Sequence, residues 1–322
     1  MRTAICGLFG IDIPIASAGM AGGSAGPALA AAVSEAGALG GLGGIVGDGP
    51  EGLRERIRTV RALTAKPFSV NLWVHLLGAA PGFFDVCIEE RVPSITLSFG
   101  DPTSYVARAH EISALVVCQV QTVAGAKQAA AAGVDAIIAQ GGEAGGHTGS
   151  VATMPLVPQV VDVAGTVPVL AAGGIADGRG LVAALALGAQ GVVMGTRFVA
   201  SAEATSPAIG HRERILAATA DDTAFTDVFD VIDQLRWPDG IHGRTVRTPF
   251  VDEWYGREEE LRAARAAIMA EAPAGETPLR AHSAYAGQSA GLVHDVKPAA
   301  AIIADIMREA DAVLARLPAP SR

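Results

Sequence analysis

One histidine, His147, stands in the middle of a glycine-rich segment, residues 140–150, that reads QGGEAGGHTGS. An imidazole changes its charge near neutral pH and can therefore give or take a proton in a reaction. The five glycines of the segment argue against packing inside a helix or a strand, so we predict an open loop, where catalytic side chains are common. A hydrogen-bonded structural role for His147 is the alternative. Glu143, in the same segment, could orient the imidazole or cap the turn that follows.

Two later glycine segments could bind an anion. They read AAGGIADGRG, with Gly173 and Gly174, and VVMGTRF, with Gly195 and Thr196. Glycine lets backbone N–H groups come close to an anion, and the threonine adds a hydroxyl donor. Either segment alone could simply form a tight turn. Together they predict a phosphate-binding site.

The elements that must position these segments follow a repeated pattern. A short apolar run, a glycine-containing loop and an alanine-rich amphipathic stretch recur along the chain, and Gly37, Gly133 and Gly188 stand where helices should end. Apolar runs of this length predict buried parallel strands. The predicted strands are residues 14–18, 39–45, 68–72, 94–97, 115–119, 136–139, 167–172 and 191–194. The clearest helical patterns are residues 51–65, 122–132 and 179–187.

These units, in a chain of 322 residues, predict an α/β fold, a (β/α)8 TIM barrel, which needs about 250 residues. In such a barrel the loops at the carboxyl ends of the strands form the active site, and the last two of these loops commonly hold a phosphate. His147 follows the sixth predicted strand, and the two anion-binding segments follow the seventh and the eighth. All three should therefore meet at one rim.

The pattern changes after the eighth predicted strand. Residues 202–293 lack the alternation of strands and helices, and they contain helical stretches near 208–220 and 256–271. We therefore predict a small helical lid or substrate domain over the rim, here called the lid segment. Residues 1–201 together with 294–322 should form the barrel domain, which ends in a helix at 298–317.

Composition excludes several classes of protein. The net charge of −9 and the pI near 5.3 give a field that repels nucleic acid. The most apolar stretch, residues 181–200, is divided by Gly188, Gln190 and Arg197, so we predict no membrane span. The three widely spaced cysteines fit reduced thiols in a cytoplasmic protein. Metal-binding patterns such as CxxC or HExxH do not occur, so no metal is expected.

One further pattern needs an explanation. Gly178, Gly180 and Ala183 match the G-x-G-x-x-A pattern of dinucleotide-binding sites. They lie five or more residues beyond the preceding strand, and no acidic residue follows at the distance that such sites require. We interpret the match as accidental.

Five segments, taken together, resemble the nitronate monooxygenase family, formerly called 2-nitropropane dioxygenases. They are PIASAGMAG, NLWV, QGGEAGGHTG, VPVLAAGGIADGRGLVAALALGAQGVVMGTRF and GQSAGLV, in consistent order over most of the chain. The resemblance implies an FMN-dependent barrel enzyme that oxidises alkyl nitronates with O2 to a carbonyl compound and nitrite. The expected partners are the nitronate or nitroalkane and O2, and a homodimer is left open.

The resemblance also implies roles for individual side chains. His147 matches the catalytic histidine of the family, which would stabilise the nitro oxygens or remove a proton from a neutral nitroalkane. Asn71 and Gln140 match side chains that contact the flavin, and Gly145 matches a glycine beside its ring. Gln119, at the end of strand five, points into the same mouth and is a weaker candidate. Asn71 could instead be a polar strand end that a neighbouring loop satisfies.

Two backbone loops complete the implied flavin site. The loop beneath the ring corresponds to Ala18, Gly19 and Met20. The phosphate grip corresponds to Gly173, Gly174, Gly195 and Thr196, with Val193 and Met194 leading into it. Gly19 departs from many relatives, which have proline before the methionine, and Met20 could equally fill the core.

Three other functions share parts of this pattern. A flavin reductase of the same superfamily, either an NADH-dependent enoyl-acyl carrier protein reductase or an NADH:quinone reductase, would use the same barrel and FMN site. A barrel isomerase or aldolase could hold a phosphorylated substrate at the same loops without a cofactor. A non-catalytic binding barrel would need no histidine.

Overall fold

The computed structural model describes residues 1–45, 47–205, 210–273 and 276–317. Eight parallel strands form one sheet in the order β1-β9-β8-β6-β5-β4-β3-β2. They are β1 (Ile15–Ser17), β2 (Gly40–Gly43), β3 (Phe68–Trp73), β4 (Ser94–Ser98), β5 (Leu115–Val120), β6 (Ala136–Gln140), β8 (Val169–Ala172) and β9 (Gly191–Met194). All eight predicted strands are present, with ends that shift by one or two residues.

The two edges of this sheet meet and close the barrel. The amide of Ser17 donates to the carbonyl of Leu39 at 3.0 Å, and the amide of Leu39 donates to the carbonyl of Ile15 at 2.9 Å. Closure leaves no unpaired strand edge. The predicted (β/α)8 barrel is therefore confirmed.

Helices cover the outside of the barrel because each presents one apolar stripe to the strands. In α3 the buried residues are Leu53, Ile57 and Val60, at the three- and four-residue spacing of one helix face. The barrel helices are α2 (Pro27–Glu35), α3 (Gly49–Leu63), α4 (Val74–Leu77), α5 (Gly82–Glu89), α6 (Thr103–Glu111), α7 (Val123–Ala132), α8 (Thr153–Ala164), α9 (Gly178–Ala186), α10 (Thr196–Val199) and α15 (Ala299–Arg316). The glycines predicted at helix ends, Gly37, Gly133 and Gly188, all have positive φ.

A short helix that the sequence did not suggest, α1 (Ala4–Phe9), closes the amino-terminal end of the barrel. Its Ile5 and Phe9 are buried in one cluster with barrel-interior side chains such as Val117, Ile138 and Leu170. These side chains fill the amino-terminal part of the barrel interior.

Helix α9 explains the G-x-G-x-x-A pattern. A Cβ atom at Gly178 would lie 2.3 Å from the backbone nitrogen of Ala310 in α15, so the close approach of the two helices requires glycine. The apolar stretch 181–200 forms parts of α9, β9 and α10. The first two correspond to the predicted helix 179–187 and the predicted strand 191–194. Among the described residues, none of the helices combines the length and the hydropathy that a membrane span requires.

The lid segment contains strands as well as helices. Its helices are α11 (His211–Ala217), α12 (Val228–Asp233), α13 (Pro249–Trp254) and α14 (Glu258–Met269), and its strands are β10 (Thr223–Thr226) and β11 (His242–Val246). Of the predicted helix 208–220, residues 208–209 lie outside the described residues, and the second predicted helix corresponds to α14. Phe229, Phe250 and Leu261 form a separate small core. The division into barrel and lid domains stays a prediction.

Candidate active site

A cavity of about 380 Å³ opens at the carboxyl ends of the barrel strands. Every predicted site residue lines it except Met194. Successive side chains of a strand face opposite sides, so Val193 points into the cavity and Met194 is buried in the core between strands and helices. Met194 can therefore contribute only its backbone to the cavity side of the strand, and its predicted place before the phosphate grip stays a prediction. The Met194 carbonyl still fixes the neighbouring loop, since it accepts a hydrogen bond from the amide of Ala18 at 2.9 Å.

His147 lies in a strand and not in an open loop. Residues 146–148 form β7 (Gly146–Thr148), which pairs with β11 of the lid segment so that His147 lies opposite Gly243. Glycine-rich sequence argued for a loop, but the partner strand comes from a distant part of the chain, and local sequence carries no sign of it. The histidine is thereby held between the barrel and the lid segment.

Three side chains of the lid segment surround the imidazole. The His147 Nε2 and the Asp230 Oδ1 are 2.8 Å apart, and the side chains of both residues are less than one-tenth exposed. Trp237 stacks on the imidazole, with ring centroids 3.6 Å apart and planes 17° apart, and its Nε1 donates to the same Asp230 oxygen at 2.9 Å. The Tyr285 ring lies 5.2 Å from the imidazole.

An aromatic cluster lies next to His147, and three of its members, Trp73, Phe99 and Trp237, line the cavity. The Trp237 ring centroid lies 4.8 Å from that of Trp73, 4.9 Å from that of His75 and 5.0 Å from that of Phe99. Burial lowers the pKa of His75, which favours its neutral form. None of these four residues was predicted from the sequence to belong to the site, although the NLWV segment contains Trp73.

Three glutamines support the His147 strand from below. Gln140 Oε1 accepts hydrogen bonds from Gln119 Nε2 at 3.0 Å and from Gln121 Nε2 at 2.8 Å. The Gln140 Nε2 donates to the backbone carbonyl of His147 at 3.2 Å. This chain of amides fixes the orientation of Gln140 at the cavity wall. Gln121 was missed because nothing in its local sequence distinguishes it.

Asn71 and Gly19 form a matched pair. The Asn71 Nδ2 donates to the Gly19 carbonyl at 2.8 Å, and Asn71 Oδ1 accepts from the Ser98 hydroxyl at 2.8 Å. A Cβ atom at residue 19 would lie only 2.5 Å from the Asn71 Cβ, so this loop requires glycine and could not hold proline without moving. Asn71 is thus satisfied by the neighbouring loop, the alternative weighed above, while still lining the cavity. Met20 both lines the cavity and packs against the core.

The two glycine turns face the same end of the cavity. Gly173 and Gly174 have φ values of 103° and 72°, a left-handed conformation that favours glycine. A Cβ atom at Gly173 would lie 2.8 Å from the Gly141 carbonyl oxygen, so this turn also needs glycine for space. Thr196 Oγ1 accepts a hydrogen bond from the amide of Gly287 at 2.9 Å, which leaves its own proton to donate.

The loop before His147 is anchored away from the imidazole. Glu143 Oε2 accepts hydrogen bonds at 2.8 Å from both the amide and the hydroxyl of Thr153, the first residue of α8. Glu143 therefore caps this helix and does not orient His147. Gly145 packs against the lid segment, where an added Cβ would lie 2.4 Å from the Gly287 nitrogen.

His211 is a further cavity residue that sequence reasoning missed. Its side chain is buried, and burial lowers its pKa, so the neutral imidazole is favoured. The His211 Nε2 hydrogen-bonds to the carbonyl of Tyr285 at 2.9 Å. His211 therefore helps to hold the segment that carries Tyr285 against the cavity.

Comparisons with known proteins agree with the barrel fold. The chain is similar over 98% of its length to FabK from Thermotoga maritima, with 38% identity, a TM-score of 0.85 and 98% of that chain covered. It is also similar to a nitroalkane oxidase from Streptomyces ansochromogenes, with 27% identity, a TM-score of 0.79, and 97% of this chain and all of that chain covered.

Curated relatives match only in part. A Mycobacterium tuberculosis protein, (3aS,4S,5R,7aS)-5-hydroxy-7a-methyl-1-oxo-octahydro-1H-indene-4-carboxyl-CoA dehydrogenase, is 41% identical over 203 residues, which is 62% of this chain and 54% of that protein. A Staphylococcus aureus protein named "Probable nitronate monooxygenase" is 37% identical over 188 residues, 55% of this chain and 50% of that protein. The chain thus spans about half the length of these relatives.

The family model described as nitronate monooxygenase matches residues 2–83 and 82–309. These two matches include every strand of the barrel, the His147 segment, both glycine turns and the lid segment. The chain therefore belongs to the nitronate monooxygenase family.

Proposed function

We propose that this chain binds FMN in the cavity and oxidises alkyl nitronates with O2. The observation that carries the proposal is the convergence of two glycine turns, an amide-lined wall and the buried imidazole of His147 on a single cavity. Two such turns suit the terminal phosphate of FMN, because their backbone N–H groups can approach an anion closely. The residues present therefore fit this cofactor.

The proposed position of the flavin ring lies between these turns and His147. Met20 and Val193 offer apolar surface, and the amides of Gln119 and Gln140 offer hydrogen-bonding groups of the kind that a flavin ring requires. When bound, FMN supplies the electron acceptor for the nitronate. The protein orients the substrate and excludes bulk water from it.

The substrate is proposed to bind between the ring and the aromatic cluster. Trp73, Phe99 and Trp237 give walls that suit a small, flat alkyl group. The imidazolium form of His147 can donate a hydrogen bond to the oxygens of a nitronate. The products would be a carbonyl compound and nitrite. The three cysteines are buried and unpaired, which supports the proposal of a cytoplasmic location.

The test begins with the cofactor. The purified protein should be yellow, and chromatography of the released chromophore should identify FMN. Oxygen uptake is then measured with a panel of alkyl nitronates and, in parallel, with NADH. Rapid uptake with a nitronate is expected, and a colourless protein that cannot be reconstituted with FMN would refute the proposal.

The role of His147 is tested by His147→Asn. This variant should retain FMN and lose most of its turnover, on the order of 10²-fold or more, because the residue contacts the substrate. His242→Asn is the matched control, since His242 also hydrogen-bonds a carboxylate, Asp227, at 2.8 Å but lies outside the cavity. Full activity of His147→Asn would refute the assigned role.

A second candidate function is an FMN-dependent, NADH-using reductase of enoyl thioesters. It is favoured by the 38% identity to FabK over nearly the whole of both chains and by the partial match to the Mycobacterium tuberculosis indene-4-carboxyl-CoA dehydrogenase. Anaerobic bleaching of the flavin separates the two candidates. Bleaching by NADH supports the reductase, and bleaching by a nitronate supports the monooxygenase.

A further inference from the structure

The hydrogen bonds around Asp230 define the protonation of His147. Asp230 Oδ1 accepts a hydrogen bond from Trp237 Nε1 at 2.9 Å and lies 2.8 Å from His147 Nε2. An indole N–H can only donate, so Oδ1 acts as an acceptor. A carboxylate has no proton to offer the imidazole, and the His147 Nε2 must therefore carry the hydrogen that lies between them.

The opposite nitrogen of the same ring is available for chemistry. A neutral imidazole with its proton on Nε2 has a lone pair on Nδ1. The His147 Nδ1 makes no hydrogen bond with another described residue. It nevertheless retains solvent-accessible surface. His147 lines the cavity. The basic nitrogen is therefore the one left open to a substrate.

We infer that Asp230 is a positioning residue that holds the His147 proton on Nε2 and thereby presents the basic Nδ1 to the substrate. The inference rests on the proposed function and adds a residue to its site. When the substrate is a neutral nitroalkane, the His147 Nδ1 takes the proton from its α-carbon. The C–H electron pair becomes the C=N bond of the nitronate, and the negative charge moves to the nitro oxygens.

The environment of Asp230 suits this role. Proton uptake turns His147 into an imidazolium, and the adjacent carboxylate stabilises that cation, as in other histidine–aspartate pairs. Both side chains are nearly buried, so water screens their interaction little. Trp237 covers the ring and fixes the carboxylate, which keeps the imidazole in one orientation.

The experiment compares two substrates in one variant. In Asp230→Asn, the new amide can donate to Nε2, which would place the imidazole proton on Nδ1 and remove the base. We expect kcat/KM for neutral nitroethane to fall on the order of 10²-fold, whereas kcat/KM for preformed ethyl nitronate changes less than about threefold. A purely structural role would lower both values equally. An equal loss, or no loss with nitroethane, would overturn the inference.

Asp227→Asn is the matched control. It removes a histidine–carboxylate hydrogen bond in the same segment, that of His242 at 2.8 Å, but outside the cavity. Both substrates should react as with the wild-type holoenzyme. Flavin content and circular dichroism verify that each variant is folded.

A second measurement does not depend on turnover. In wild-type holoenzyme labelled with 15N-histidine, NMR at about pH 9 distinguishes the two neutral tautomers, and the resonance missing from His147→Asn identifies the residue. A proton on Nε2 is expected, and a proton on Nδ1 would overturn the inference even if Asp230→Asn did not fold. If the wild type oxidises no nitronate, the proposed function fails, and this result still decides the role of Asp230.

Discussion

Replacing Gly195 by alanine should weaken FMN binding while leaving the fold intact. Gly195 has a φ of −103°, which alanine adopts without strain. An added Cβ would lie 3.6 Å from the Ala18 Cβ and 3.7 Å from the Met20 Sδ, ordinary van der Waals distances. The stability of the protein should therefore stay the same or rise by a few tenths of a kcal/mol, since alanine restricts the unfolded chain.

Gly195 belongs to the proposed phosphate grip, where a side chain should hinder the approach of the phosphate to the backbone amides. Displacing the phosphate from one backbone amide removes a hydrogen bond to a charged group, which is worth about 1.5–3 kcal/mol. That loss corresponds to a roughly 10- to 150-fold increase in the Kd for FMN, at about 1.4 kcal/mol per factor of ten. Riboflavin has the same ring and no phosphate, so its Kd should change little.

The assay is a titration of the apoprotein with each flavin, followed by quenching of flavin fluorescence. Gly7→Ala provides the control, since a Cβ there meets nothing within 4 Å and Gly7 lies in α1, at the opposite end of the barrel. Gly173→Ala should instead destabilise the protein by about 1–3 kcal/mol, because residue 173 has a φ of 103°. Equal weakening of FMN and riboflavin by Gly195→Ala, or no weakening of FMN, would show that the phosphate binds elsewhere.

Two further predictions concern buried titratable groups. Burial lowers the pKa of His211 below its ordinary 6.5. The unfolded chain therefore binds a proton at this histidine more readily than the folded protein does. The free energy of unfolding should decrease as the pH falls from 6.5 toward the lower pKa of the folded state. His211→Gln, whose amide can still donate to the Tyr285 carbonyl, should flatten the fall in Tm between about pH 7 and about pH 5; an unchanged slope would contradict this. Burial raises the pKa of the Cys118 thiol to about 12 and also raises that of Cys87. A thiol reagent at about pH 8 should therefore label neither residue until the protein unfolds, and fast labelling of the native protein would show that the two sites open.

The barrel could be predicted because its signals are local. Each strand is a short apolar run that ends near glycine, and a turn such as that at Gly133 needs a left-handed residue whatever lies nearby. The order of the loops along the chain then brings His147 and both glycine turns to one rim. No distant contact was needed for that argument.

The remaining parts of the site depend on contacts between distant residues. Asp230 and Trp237 reach His147 from more than 80 residues away, and β7 exists only because β11 pairs with it. Neither Asp230 nor Trp237 has a recognisable motif around it. Met194 shows a different limit, since a motif locates a stretch of backbone but the alternation of the strand decides which side chains face the cavity.

Pairing of β7 with β11 has a consequence for how ligands enter. The ladder joins the strand that carries His147 to the segment that covers it, so a hinge motion swinging residues 202–293 away as one body would pull this strand out of its pairing. Entry of a ligand next to His147 is therefore better served by local movement of the connection between α12 and β11. Trp237 lies in that connection, next to residues such as Leu235 that are already exposed to water. A shortened chain without residues 202–293 would keep the glycine turns and lose Asp230 and Trp237, so engineering of this barrel must treat the covering segment as part of the site.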